Sequence, residues 1–84
     1  LVDFHTLWCV PCRKMAPIID ELEQKYLDNI YISRVDIDKS EDLANQFEIN
    51  VVPTLVLFNE SKEIWRKTGI ISKEELIKVL DNNL

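Results

Sequence analysis

The residues of this chain best suited to redox chemistry are Cys9 and Cys12, its only cysteines, in the run Trp8-Cys9-Val10-Pro11-Cys12. Two thiols at that spacing make a candidate dithiol/disulfide centre. The working species is the thiolate, and an ordinary cysteine of pKa about 8.5 offers little of it at neutral pH. A helical pattern opens directly after Cys9. Backbone N–H groups that lack intrahelical partners would then point at its sulfur, and the positive end of the helix dipole would favour the anion. Pro11 suits this place, because a residue in the first helical turn needs no N–H. Cys9 is therefore expected to be the exposed, attacking sulfur, and Cys12, one turn further in, the resolving one. A metal site is the competing use. His5, Cys9 and Cys12 would supply three ligands, but a structural zinc site wants four and no second Cys-x-x-Cys completes one, so no metal is expected.

The elements that must position this pair are legible from periodicity. Leu1 to Thr6 reads as a buried strand, with Val2 and Phe4 on one face and Leu1, Asp3 and His5 on the other. From Pro11 to Leu27, Met15, Ile18, Ile19, Leu22 and Tyr26 recur at helical spacing, and Pro17 should kink that helix. Ile30 to Ile37 is a second strand, with Ile30, Ile32 and Val35 turned inward. Ser40 can cap a short helix from Glu41 to Phe47. Thr54 to Asn59 and Glu63 to Thr68 form an antiparallel hairpin about Glu60-Ser61-Lys62. Ser72 and Glu75 form a capping box that opens a last helix, with Leu76, Ile77, Leu80 and Leu84 on its buried face. This order gives an α/β fold, a mixed sheet with helices on its faces.

The bulk numbers narrow the function. At 84 residues one domain is the reasonable count, and its core is small. A net charge of −5 argues against a nucleic-acid surface or an anionic membrane as partner. No apolar run approaches the ~20 residues of a membrane span. Two cysteines in such a chain read as redox or metal rather than as a structural staple, which points to the cytoplasm. An extracytoplasmic setting stays open, because Leu1 already stands inside a strand.

Taken in order, Val2-Asp3-Phe4, Trp8-Cys9-x-Pro11-Cys12, Ala16-Pro17, Val35-Asp36-Ile37-Asp38, Val52-Pro53-Thr54 and Gly69 resemble the thioredoxin family over essentially the whole chain. The resemblance implies a thioredoxin-like fold, here with about four strands and three helices. It implies protein-disulfide oxidoreduction by reversible exchange at Cys9 and Cys12, with no bound cofactor, and electrons supplied by a thioredoxin-reductase-type partner. Asp3 matches the family's buried carboxylate, which relays the proton of the second cysteine; burial would raise its pKa toward neutrality, as suits a base. Pro53 matches a cis-proline facing the cysteines. The backbone of Val52 would hold an extended substrate segment in strand-like fashion, and Trp8 would form an apolar shelf beside Cys9. Arg34 matches a family lysine near the buried carboxylate, and is otherwise a surface charge.

The departures from the pattern matter too. Val10 stands where the family usually has Gly, His5 where it has Trp, and Val51 and Ile70 where it has Gly or Ala. A more apolar, tighter substrate groove lined by Trp8, Val51, Val52 and Ile70 is expected, with altered preference and redox poise. His5 could shuttle protons beside Asp3, tune the thiolate, or simply fill space. The family's first strand and helix have no counterpart here. Residues 1–84 therefore read as a single, N-terminally truncated domain whose strand at 30–37 has an open edge, an invitation to self-association. A disulfide oxidase or isomerase, an extracytoplasmic thiol carrier and a non-catalytic binding module are the alternatives.

Overall fold

The computed structural model describes residues 1–84. Four strands, β1 (Val2–His5), β2 (Ser33–Asp36), β3 (Thr54–Asn59) and β4 (Lys62–Thr68), form one sheet in the order β2-β1-β3-β4. Three helices accompany them: α1 (Val10–Lys25), α2 (Glu41–Gln46) and α3 (Lys73–Asp81). β1 and β2 are parallel, as a helical crossover requires. β3 returns antiparallel to β1, and β4 antiparallel to β3, so the sheet is mixed.

The pleat sorts the core into two layers. Leu1, Leu55 and Leu57 pack with Met15, Ile19, Leu22 and Tyr26 of the α1 segment and with Leu76 and Leu80 of α3. Phe4 and Val56 pack with Ala44 and Ile49 on the other face, where Phe47 closes over Phe4 and Phe58. α1 and α3 thus cover one face of the sheet and α2 the other. Tyr26 joins α1 to α3 by donating to Asp81 Oδ1 at 2.7 Å. Burial and that carboxylate push the Tyr26 hydroxyl up to about 12.

Several expectations need correction. The second strand is four residues long, not eight: the chain is still turning at Ile30, where the Tyr26 carbonyl accepts from both Asn29 and Ile30, and β2 pairs with β1 only over Ser33–Asp36. Ile30 and Ile32 lie against the α1–α3 layer, whereas Val35 turns to the α2 layer. Ser40 occupies the N-cap of α2, but its side chain caps nothing. Half of the capping box at α3 forms: Ser72 Oγ accepts from Glu75 N–H at 3.1 Å, while the Glu75 carboxylate pairs instead with Lys67 at 3.3 Å. α3 ends at Asp81, which leaves Leu84 exposed. Pro17 does lie inside α1, as the sequence reading has it. The hairpin tip is Glu60-Ser61, both at positive φ (52° and 68°), the backbone of a two-residue turn matched to strand twist.

Candidate active site

The N-terminus of α1 is built on Cys9. It is the N-cap residue, with extended backbone (φ −86°, ψ 113°), and its carbonyl accepts from Arg13 N–H at 3.1 Å. Its sulfur accepts from Cys12 N–H at 3.0 Å. Cys9 Sγ therefore takes the place that a Ser or Asp oxygen holds in an ordinary N-cap. That donor and the helix dipole stabilise negative charge arising on this sulfur. The first turn of α1 carries no acidic residue to oppose it, and Pro11 sits there at no cost in hydrogen bonds. Cys9 is half-buried and Cys12 buried. The two are joined as a disulfide, with Cα atoms 5.1 Å apart.

The loop before β3 faces this pair. The Val52–Pro53 peptide is cis, and the Val52 carbonyl oxygen lies 3.7 Å from Cys9 Sγ. Two contacts fix the loop: Thr54 Oγ1 donates to the Val51 carbonyl at 2.6 Å, and Gly69 N–H donates to the Pro53 carbonyl at 2.8 Å. Gly69 has φ 84°, a backbone region that disfavours other residues. This tie carries Ile70 to the loop that faces Cys9. Trp8 is 83% exposed, and Val10, Val51 and Ile70 each expose just over half of their surface. Trp8 and Val10 thus leave apolar surface open on either side of Cys9 along the chain, and Leu7, which sequence reasoning passed over, is exposed just ahead of Trp8. Thr54 was named only as part of the Val52-Pro53-Thr54 motif; the folded loop shows its hydroxyl at work.

Asp3 lies on the sheet face that α1 covers. It is 4% exposed, and its Oδ1 has no hydrogen-bond partner. Burial raises its pKa, while His5 and then Arg34 pull the other way. His5, two residues on, is half-buried. Arg34 is the β2 register partner of Asp3, yet its guanidinium pairs with Asp20 and with Glu23 Oε1 (3.0 Å) on α1. Those two acids were not singled out from the sequence. Their spacing of three on a helix, which puts both on one face, was the available signal. No three His, Cys, Asp or Glu side chains gather closely enough to hold a metal ion.

Comparison with known proteins agrees with this geometry. The family described as Thioredoxin matches residues 1–82. The thioredoxin of Buchnera aphidicola is 38% identical over the whole chain, which spans 78% of that protein, and thioredoxin 1 of Synechococcus elongatus is 37% identical with the same coverage. In fold, the chain is similar to the germline-specific thioredoxin Deadhead of Drosophila melanogaster. The TM-score is 0.90 at 24% identity, covering 99% of this chain and 78% of that one. A helix-capping cysteine disulfide-bonded to its buried partner, opposite a cis-proline, on a chain aligned with these relatives from end to end, is what places this protein in the thioredoxin family as a thiol–disulfide oxidoreductase.

Proposed function

We propose that the protein works as a reductant of protein disulfides, with Cys9 as nucleophile, Cys12 as resolving thiol and Asp3 as the base for Cys12. In the dithiol form the Cys9 thiolate attacks one sulfur of a substrate disulfide. That S–S bond breaks, a substrate thiolate leaves, and a mixed disulfide forms on Cys9. Asp3 then takes the proton of Cys12. The Cys12 thiolate attacks Cys9 Sγ, closes the Cys9–Cys12 disulfide and releases the second substrate thiol. The observation that carries the assignment is the asymmetry of the pair: Cys9 Sγ is capped by a backbone N–H at the helix terminus, and Cys12 is buried. Trp8, Val51, Val52 and Ile70 seat the substrate segment around the loop held by Pro53, and His5 supports Asp3. The disulfide itself is the redox group, with no further cofactor. A flavoprotein reductase returns the electrons, in a reducing compartment such as the cytoplasm.

The deciding experiment is equilibration of the pair against glutathione buffers, read by thiol alkylation. A potential at or below about −220 mV supports a reductant; one near about −120 mV moves the protein to oxidative folding or isomerisation. Failure of the two cysteines to exchange with glutathione makes it a binding module.

The reading extends to the domain. Residues 1–84 form one domain, completed beside β2 by a further strand and helix from preceding sequence. Two observations support this: β2 is an edge strand, and a groove of about 810 Å³ opens beside it, lined by Val2, Phe4, Ile30, Tyr31, Val35 and Phe47 among others.

A further inference from the structure

One row of the sheet has a charge pattern that the exchange reaction does not explain. The register across the four strands runs Arg34 (β2), Asp3 (β1), Leu55 (β3), Lys67 (β4), and residues in register share a face. A buried carboxyl therefore sits in a row with a cation on either side. Arg34 is its immediate neighbour, one strand away at a spacing of about 5 Å. A carboxylate and a guanidinium so placed would ordinarily pair, and a paired Asp3 would be a poor base. They do not pair. Asp3 Oδ1 has no partner, and the Arg34 guanidinium is turned onto α1, where Nη2 contacts Asp20 and Nε donates to Glu23 Oε1 at 3.0 Å. Lys67, one strand further off, is tied to Glu75 of α3 at 3.3 Å. Each cation of the row is thus claimed by a helix carboxylate.

The other groups facing Asp3 do not fill the place of Arg34. From β1 there is His5, and the amino group at Leu1 donates to the Tyr31 carbonyl. β3 contributes the apolar Leu55, and α1 packs across the same face through Met15 and Ile19.

We propose that Asp20 and Glu23 form a clamp that holds the Arg34 guanidinium off Asp3, leaving the buried carboxyl free to receive the Cys12 proton. Asp20 and Glu23 are positioning residues that act through Arg34. The inference rests on the assignment of Asp3 as the base for Cys12. It predicts that releasing Arg34 turns it inward, where pairing with Asp3 converts a base poised by burial into a weak, permanently ionised one.

The test is Asp20→Asn/Glu23→Gln in the full chain, alone and combined with Arg34→Gln, beside Asp3→Asn. Two readouts are taken: the Asp3 carboxyl titration by carbon NMR, and the pH dependence of mixed-disulfide resolution in single turnover. Both substituted acids are exposed, so folding is not at issue. The clamp predicts that Asp20→Asn/Glu23→Gln moves the Asp3 midpoint down and carries the acid limb of the rate profile with it. Resolution at neutral pH slows, by no more than Asp3→Asn slows it. Both effects vanish when Arg34 is already Gln. Loss of two distant negative charges would also lower the midpoint, but equally so with Gln at position 34, and that result overturns the proposal. An unchanged midpoint in the Arg34-containing variant overturns it as well. If Asp3→Asn leaves the resolution profile unchanged, the assignment of Asp3 as base fails first, and the proposal with it.

Discussion

Asp3 is the one acidic side chain buried in the core, and its cost sets a pH dependence of stability. Burial raises its pKa in the folded chain above the unfolded value. A group shifted upward binds its proton more tightly when folded. Its penalty is therefore absent below the unfolded pKa and grows as pH rises through the folded one. Stability should fall as pH rises from the unfolded carboxylate range through the raised folded one, and Asp3→Asn should flatten that fall. The gain at pH 7 is on the order of 1.4 kcal/mol for each unit by which the folded value exceeds the unfolded one, measured by urea denaturation at several pH values. The roles of the cysteines separate at the same scale. Cys12→Ser should accumulate a mixed disulfide on Cys9, whereas Cys9→Ser should accumulate none, seen by mass spectrometry after incubation with an oxidised protein substrate. Equal trapping by both variants would reverse or dissolve the assignment, because burial of Cys12 is what should keep it from attacking a substrate.

At the scale of elements, the site depends on α1 being held at both ends. Its C-terminal side is anchored by Ile19, Leu22 and Tyr26 against the sheet and α3, all essentially buried. Leu22→Ala should cost about 2–5 kcal/mol, by lost burial and the cavity left behind. Tyr26→Phe should cost about 1.5–3 kcal/mol, since its hydroxyl donates to the Asp81 carboxylate. Both are read in the midpoint of denaturant unfolding. α3 needs its cap for the same reason: Ser72→Ala should cost about 1 kcal/mol, because Glu75 is turned to Lys67 and gives no second capping bond. A Ser72→Ala variant as stable as the parent would show that packing of Leu76 and Leu80 alone fixes α3.

For the whole molecule, the unsettled face is the outer side of β2. The strand pairs only with β1, and the groove beside it exposes apolar side chains, Tyr31 the most open at 85%. An edge with free backbone groups and apolar surroundings recruits another strand. If a further strand and helix complete the sheet as proposed, a chain that carries them should be monomeric and melt at higher temperature. The 84-residue chain should show concentration-dependent association in sedimentation. If lengthening leaves melting and association unchanged, something other than a preceding strand and helix covers the groove. No helix here is long and apolar enough to cross a membrane.

What the amino-acid sequence determined by itself was whatever depends on near neighbours along the chain. The Cys-x-x-Cys spacing at a helix start, the alternation that sends Asp3 inward beside Leu1, the 3.6-residue stripe of α1 and a hairpin turning about Glu60-Ser61-Lys62 are all local patterns. Each was legible, and the order of the short motifs carried the family. Tertiary structure alone decided whatever depends on where one element lies against another. β2 found a partner over only half its expected length, and Ser40 was left without a capping bond. Thr54 and Gly69 were seen to lock the proline loop only once β3 and β4 had brought them together. Arg34 was seen to turn to Asp20 and Glu23, not to Asp3, only once α1 had settled across the sheet. An ion pair between a strand and a helix depends on packing angle and on the reach of flexible side chains, and neither is encoded in spacing along the chain.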